Sequence, residues 1–212
     1  MTCYLEGQNV AVVLEEDLIN LVFSRFHDGR PNIFRRITKG VAGAGPYDEL
    51  HDPVPLGETG LVLRYDVRLV RPESGKYIDC HPVPSNPYEL PVEPGEMLLD
   101  MRLEASLRVT PKDLAHGTRQ DFELALGVVL APSVAGQALR LVPRQVAVPG
   151  FGPEGLRQMA EEVLVELLTG ALDELDVPMN FVLGAPLQAT LSVGRLDVSD
   201  DSLRAHAGIQ FT

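Results

Sequence analysis

Two short stretches carry side chains able to do covalent or metal chemistry. In "DCHP" Cys80 stands beside His81, the composition of a nucleophile with its base. Neighbours in an extended segment point to opposite sides, however, so adjacency alone does not make them a pair. "DELHDP" offers Asp48, Glu49, His51 and Asp52 as donors to a divalent cation, at an irregular spacing that a solvated acidic loop shares. The five histidines, at positions 27, 51, 81, 116 and 206, are scattered. "GVAGAG" lacks both the Lys-Ser/Thr ending and the preceding strand of a phosphate-binding loop. Tryptophan is absent and aromatics are 6%, which removes stacking platforms for bases or sugars. The expectation is a protein that is not an enzyme, with no catalytic residues, no metal and no cofactor.

Charge narrows the partners. The 212 residues carry a formal net charge of -12, so a phosphate backbone would be repelled over most of the surface and nucleic acid is not expected as a partner. One basic island interrupts this field. "SRFHDGRPNIFRRITKG" carries Arg25, Arg30, Arg35, Arg36 and Lys39 against a single Asp28, and Arg35, Arg36 and Lys39 interleave with Ile33, Phe34 and Ile37, a mixture suited to an anionic lipid surface or an acidic protein partner. The same segment reads equally as one that packs Phe34 and Ile37 inward and pairs its cations with the chain's many carboxylates.

The elements that must hold these groups are mostly strands. "TGLVLRYDVRLV" puts Leu61, Leu63, Tyr65, Val67 and Leu69 on one face and Arg64, Asp66 and Arg68 on the other. "EMLLDMRLEASLRV" alternates in the same way from Met97 to Val109, as antiparallel strands with one solvated face do. Pro143 in "QALRLVPRQVAV" predicts an edge or a bulge. Leu14, Leu18, Leu21, Val22 and Phe26 recur at helical spacing and predict a short N-terminal helix. Residues 40–58 and 71–96 are dense in Gly and Pro and read as long loops. From Pro153 to about Asp176 an apolar stripe including Leu164, Leu167, Leu168 and Leu172 predicts a helix about 35 Å long. Two alternating segments then turn at Ser199-Asp200-Asp201, a closing hairpin. The whole reads as one α+β domain, residues 1–212, in which a long, highly curved antiparallel sheet wraps around one long C-terminal amphipathic helix.

The stretch "LVPRQVAVPGFGPEGLRQMAEEVLVELLTGALDEL", followed by "PLQATLSVGRLDVSDDSLRAHAGI", resembles the TULIP superfamily, the tubular lipid-binding fold, including its bacterial YceB-like members. The resemblance implies a lipid or other apolar molecule held between helix and sheet. From the helix the lining would be Leu164, Leu167, Leu168 and Leu172; from the strands, Leu63, Tyr65, Leu99, Met101 and Leu103. The alternative is that these side chains meet in a filled core, leaving a scaffold or assembly protein that acts through protein contacts or as a homo-oligomer. No apolar run is long enough to span a membrane, and the start has neither a basic nor an apolar leader. The chain therefore reads as cytoplasmic, or as exported if Met1 replaces a removed signal peptide.

Overall fold

The computed structural model describes residues 10–80, 86–114, 117–135, 138–152, 154–175, 177–178, 180–182, 188–199 and 201–211. The elements in chain order are β1 (Val10–Glu15), α1 (Glu16–Gly29), a 3-10 turn (Pro31–Phe34), β2 (Arg35–Thr38), β3 (Leu50–His51), β4 (Val54–Pro55), β5 (Leu61–Val70) and β6 (Ile78–Asp79). They continue as β7 (Met97–Pro111), β8 (Arg119–Ala135), β9 (Ala138–Ala147), α2 (Glu154–Asp173), β10 (Val177–Pro178), β11 (Asn180–Val182), β12 (Gln188–Ser199) and β13 (Ser202–Phe211). Among the described residues no helix is long and apolar enough to cross a membrane.

The strands fall into two sheets. Nine form one, with the path β10-β9-β8-β7-β5-β2-β3 and β4 and β6 attached to β5 and β7; four form the other, in the order β1-β13-β12-β11. The larger sheet is curled into a half barrel. Along β7 the alternation predicted by sequence is present: Met101, Leu103 and Ala105 are buried on the concave side, while Arg102, Glu104 and Ser106 face outward. The β8–β9 register shifts between Val129 and Leu130, whose partners are Gln145 and Pro143, so the imino acid sits at a bulge. At the β12–β13 hairpin Ser199 pairs with Ser202, and Asp201 takes a positive φ of 61°.

The expected α+β arrangement, a sheet wrapped around one long C-terminal helix, is corrected by this fold. The chain is mostly sheet, at 47%, with two short helices, and no sheet encloses α2. That helix is 20 residues, Glu154–Asp173, and does not reach Asp176. It lies against β9 and the 3-10 turn, and leaves Arg157, Gln158, Glu162, Glu166 and Thr169 in water. The physical reason is that α2 has competitors for the concave face. Phe23 from α1, Phe34 from the 3-10 turn and Tyr77 before β6 are all fully buried there, their rings 5.1 to 6.0 Å apart about Phe23. Leu164, Leu167, Leu168, Ala171 and Leu172 then cover only the part that remains. Because Leu168 is fully enclosed, Leu168→Ala should destabilise the fold by about 2–5 kcal/mol in urea unfolding.

The outer face is also partly covered. Residues 86–92 cross it as a strap, with Leu90 packed on Leu98 and Val129. Tyr88 lays its ring against Gly127, where a Cβ would collide with the ring, and its hydroxyl donates to Asp100, the cross-strand partner of Gly127. Gly127→Ala should therefore lift the strap and cost about 1–3 kcal/mol, read as a lower urea midpoint.

Candidate functional site

The site is built by the way α1 is pinned. Its apolar residues do not all face one neighbour, so polar bonds on one flank decide its seating. Asn20 Oδ1 accepts from the backbone amides of Tyr77 and Ile78 at 2.7 and 2.8 Å, and its amide donates to the Ile78 carbonyl at 2.8 Å. Glu16 is buried and accepts from the Cys80 amide at 2.7 Å and from Lys76 at 2.6 Å. His27 Nε2 lies 2.9 Å from the Leu69 carbonyl, which can only accept, so Nε2 carries the proton and Nδ1 accepts from the Tyr77 hydroxyl at 3.2 Å. These bonds clamp one flank of α1 onto the Lys76–Cys80 segment.

The opposite flank is left with a gap. A cavity of about 150 Å³ lies where the two sheets meet beneath α1. Its walls are Leu14 of β1, Leu18, Ile19, Val22 and Phe23 of α1, Met97 of β7, Leu139 and Leu141 of β9, Leu175 after α2, and Leu203 of β13. Every lining residue is apolar, so a water inside would find no side-chain hydrogen-bond partner. A space of this size and lining favours an apolar guest about as large as benzene over water. At its rim Leu18 and Val22 are 45% and 43% exposed, and Leu21, one helical turn from Leu18, is 54% exposed. The opening is therefore bordered by an exposed apolar stripe.

The positions expected to line a ligand groove sit elsewhere. Leu164, Leu167, Leu168 and Leu172 of α2 meet Tyr65, Leu99, Met101 and Leu103 of β5 and β7 in one contiguous buried cluster. Leu63 is half-buried, opposite Val54 of β4. The structure thus brings eight of the nine together in one buried cluster, and the lining of the cavity beneath α1 shares none of them. In the sequence Leu18 and Val22 of α1, with Leu14 of β1, showed as one periodic run. Nothing local tied that run to Leu139, Leu141 or Leu203, which converge only through the two sheets.

Four of the five cations of the basic island, all but the exposed Arg25, have a carboxylate among the described residues. Arg30 meets Glu174 at 2.6 Å and Arg36 meets Glu166 at 2.8 Å, tying the residues that flank the 3-10 turn to α2 and the residue just after it. Lys39 pairs with Asp52 at 2.7 Å, and Arg35 bridges Asp48 at 2.5 Å and Asp66 at 2.7 Å. Asp48 and Asp52, considered above as cation ligands, are thereby turned toward cationic side chains of β2 and its end.

Cys80 is buried with its sulfur 3.6 Å from Met97 Sδ. Burial, reinforced by the Glu16 carboxylate, pushes its thiol up to about 12. His81 lies outside the described residues. In a Cys3→Ser variant the remaining thiol should stay unlabelled by iodoacetamide at neutral pH until the protein is unfolded; labelling at the rate of a free thiol would contradict this placement.

No family profile matches the chain, and no curated protein matches it. Among solved structures it is similar to the crystal structure of lipopolysaccharide binding protein, at 16% identity and a TM-score of 0.33. The matched region covers 71% of this chain and 32% of that one, so the chain spans about a third of that protein's length. A superposition this loose transfers no ligand to the present chain.

Proposed function

We propose that the protein is a non-enzymatic, TULIP-like binding protein for a lipid or other apolar small molecule, and that the guest enters beneath α1 rather than beneath α2. The observation that carries this reading is the wholly apolar cavity, open at the exposed stripe of Leu18, Leu21 and Val22. Leaving such a space unfilled costs stability that closer packing would recover, and a guest would supply the missing contacts. A cavity of about 150 Å³ holds the end of an acyl chain or one ring, with the rest of the molecule lying along the stripe. Native mass spectrometry of the purified protein, with uptake of a fluorescent fatty acid, tests the proposal. A bound apolar species or saturable uptake supports it, and neither being found overturns it.

The same stripe favours a second reading, a scaffold that docks a protein partner or another copy of the chain on α1. Leu18, Leu21 and Val22 then form an interface core, and β1 lies beside it as an edge strand of the smaller sheet. Size-exclusion chromatography separates the two readings: this one requires a stable complex whose formation buries α1.

A further inference from the structure

The outward face of the larger sheet carries an arrangement that neither the cavity nor the fold accounts for. Arg64 of β5 stands opposite Arg108 of β7, and Arg108 stands opposite Arg119 of β8. Three arginines thus form one cross-strand row in a chain of net charge -12. Like charges directly opposite one another in a sheet repel, so such a row is unfavourable unless something neutralises it. The described residues supply little that does. Arg119 pairs with Asp121 at 2.6 Å. Arg64 is buried and donates to neutral acceptors, the Thr110 hydroxyl and the Lys112 carbonyl at 3.3 Å each and the Lys39 carbonyl. Arg108 Nε is buried without an acceptor among the described residues. Such a buried, unmatched guanidinium N–H is expensive to keep.

We propose that this row is a binding site for a compact oxyanion, a phosphate or the phosphomonoester group of a larger molecule, with Arg108 as its principal ligand. The guanidinium fork matches two oxygens of a phosphate, which a chloride ion does not provide. Asp121, paired with Arg119, neutralises one of the three arginines and leaves the row with a net positive charge. Its carboxyl is held below the ordinary range first by the hydrogen bond from Arg119 and further by one from Ser106 and the charges of Arg119 and Arg108, and the register sets Arg108 directly opposite Arg119. The row lies near the end of β7 remote from Met97, so it is separate from the cavity and does not depend on it.

Thermal unfolding with inorganic phosphate, against chloride at equal ionic strength, reads the site in the full chain. Phosphate should raise Tm in the parent, and Arg108→Gln should weaken the effect by about tenfold or more in apparent affinity. Without phosphate, Arg108→Gln should melt no lower than the parent, since the buried Nε has no acceptor among the described residues to lose. Arg25→Gln, on exposed α1, should keep the full phosphate response. Vesicles of phosphatidic acid in phosphatidylcholine, against phosphatidylcholine alone, identify the source. Binding that requires Arg108 assigns a lipid headgroup, whereas a response to free phosphate alone assigns a soluble one. The proposal is overturned if phosphate acts no better than chloride and the phosphatidic acid vesicles do not bind. It is equally overturned if Arg108→Gln responds as the parent does, or if Arg25→Gln loses the response to the same extent.

Discussion

Val22→Trp should weaken uptake of an apolar probe by about tenfold or more, since each methylene or ring edge refused by an apolar pocket is worth about 1–3 kcal/mol. Val22 is suited to this role because it lines the cavity from α1 while remaining 43% exposed at the rim. An indole there reaches across the opening toward the space between Leu18 and Ile19, one turn back along the helix, and occupies the volume the guest needs. Stability should change little, within about 0.5 kcal/mol, because the site is half in water and tryptophan and valine have similar helix propensities. Leu168→Ala supplies the contrasting outcome: it should lower stability while leaving the probe affinity of the folded protein unchanged. Fluorescence titration with the same fatty acid probe, alongside urea unfolding of both variants, checks the pair. If Leu168→Ala and not Val22→Trp removed binding, the guest would belong under α2.

The second large effect falls on stability. Arg35→Met should destabilise the protein by about 3–5 kcal/mol, the cost of removing one partner from a buried charge network. The side chains of Arg35, Asp48 and Asp66 are 11%, 7% and 13% exposed, so little solvent remains to screen what is left. Arg35 also donates to the Gly43 carbonyl at 3.1 Å, which fastens the 39–50 loop to β5. The pH dependence has a definite sign. Burial pulls the Asp66 carboxyl upward, but hydrogen bonds from Arg35 and Arg68, with their charges, outweigh it and hold the folded value below the ordinary 3.8. Stability from this pairing is present above the unfolded value and is lost as pH falls through the folded one. The penalty of Arg35→Met should therefore be full at neutral pH and shrink on acidification, as read from urea midpoints at several pH values.

Local rules were legible where one strand or turn sufficed. The alternation in β7, the bulge at Pro143 and the turn at Asp201 all follow from residue types within a few positions of each other, whereas β5 departs from its expected alternation at Leu61, which is exposed, and Arg64, which is buried. The fate of α2 did not follow, because its amphipathic stripe shows that it covers apolar surface without showing how much of that surface Phe23, Phe34 and Tyr77 already occupy. The basic island illustrates the same limit. Arg30 and Arg36 find Glu174 and Glu166 more than a hundred positions away, so the sequence displayed the cations without the carboxylates that pair with them. β8 from Leu126 to Leu130 is buried on both faces because a strap anchored by Tyr88 crosses it, and only the absence of a side chain at Gly127 hinted at that. The cavity was least legible, since its walls come from β1, α1, β7, β9, β13 and the residue Leu175.

The central claim, that the apolar guest sits beneath α1, is tested most directly by methyl NMR of the Leu-, Ile- and Val-labelled protein titrated with a medium-chain fatty acid. The predicted result is saturable shifts at Leu14, Ile19, Val22, Leu139, Leu141 and Leu203, with Leu164, Leu167, Leu168 and Leu172 unmoved. Shifts confined to the α2 leucines, or none at any of these methyls, would contradict it.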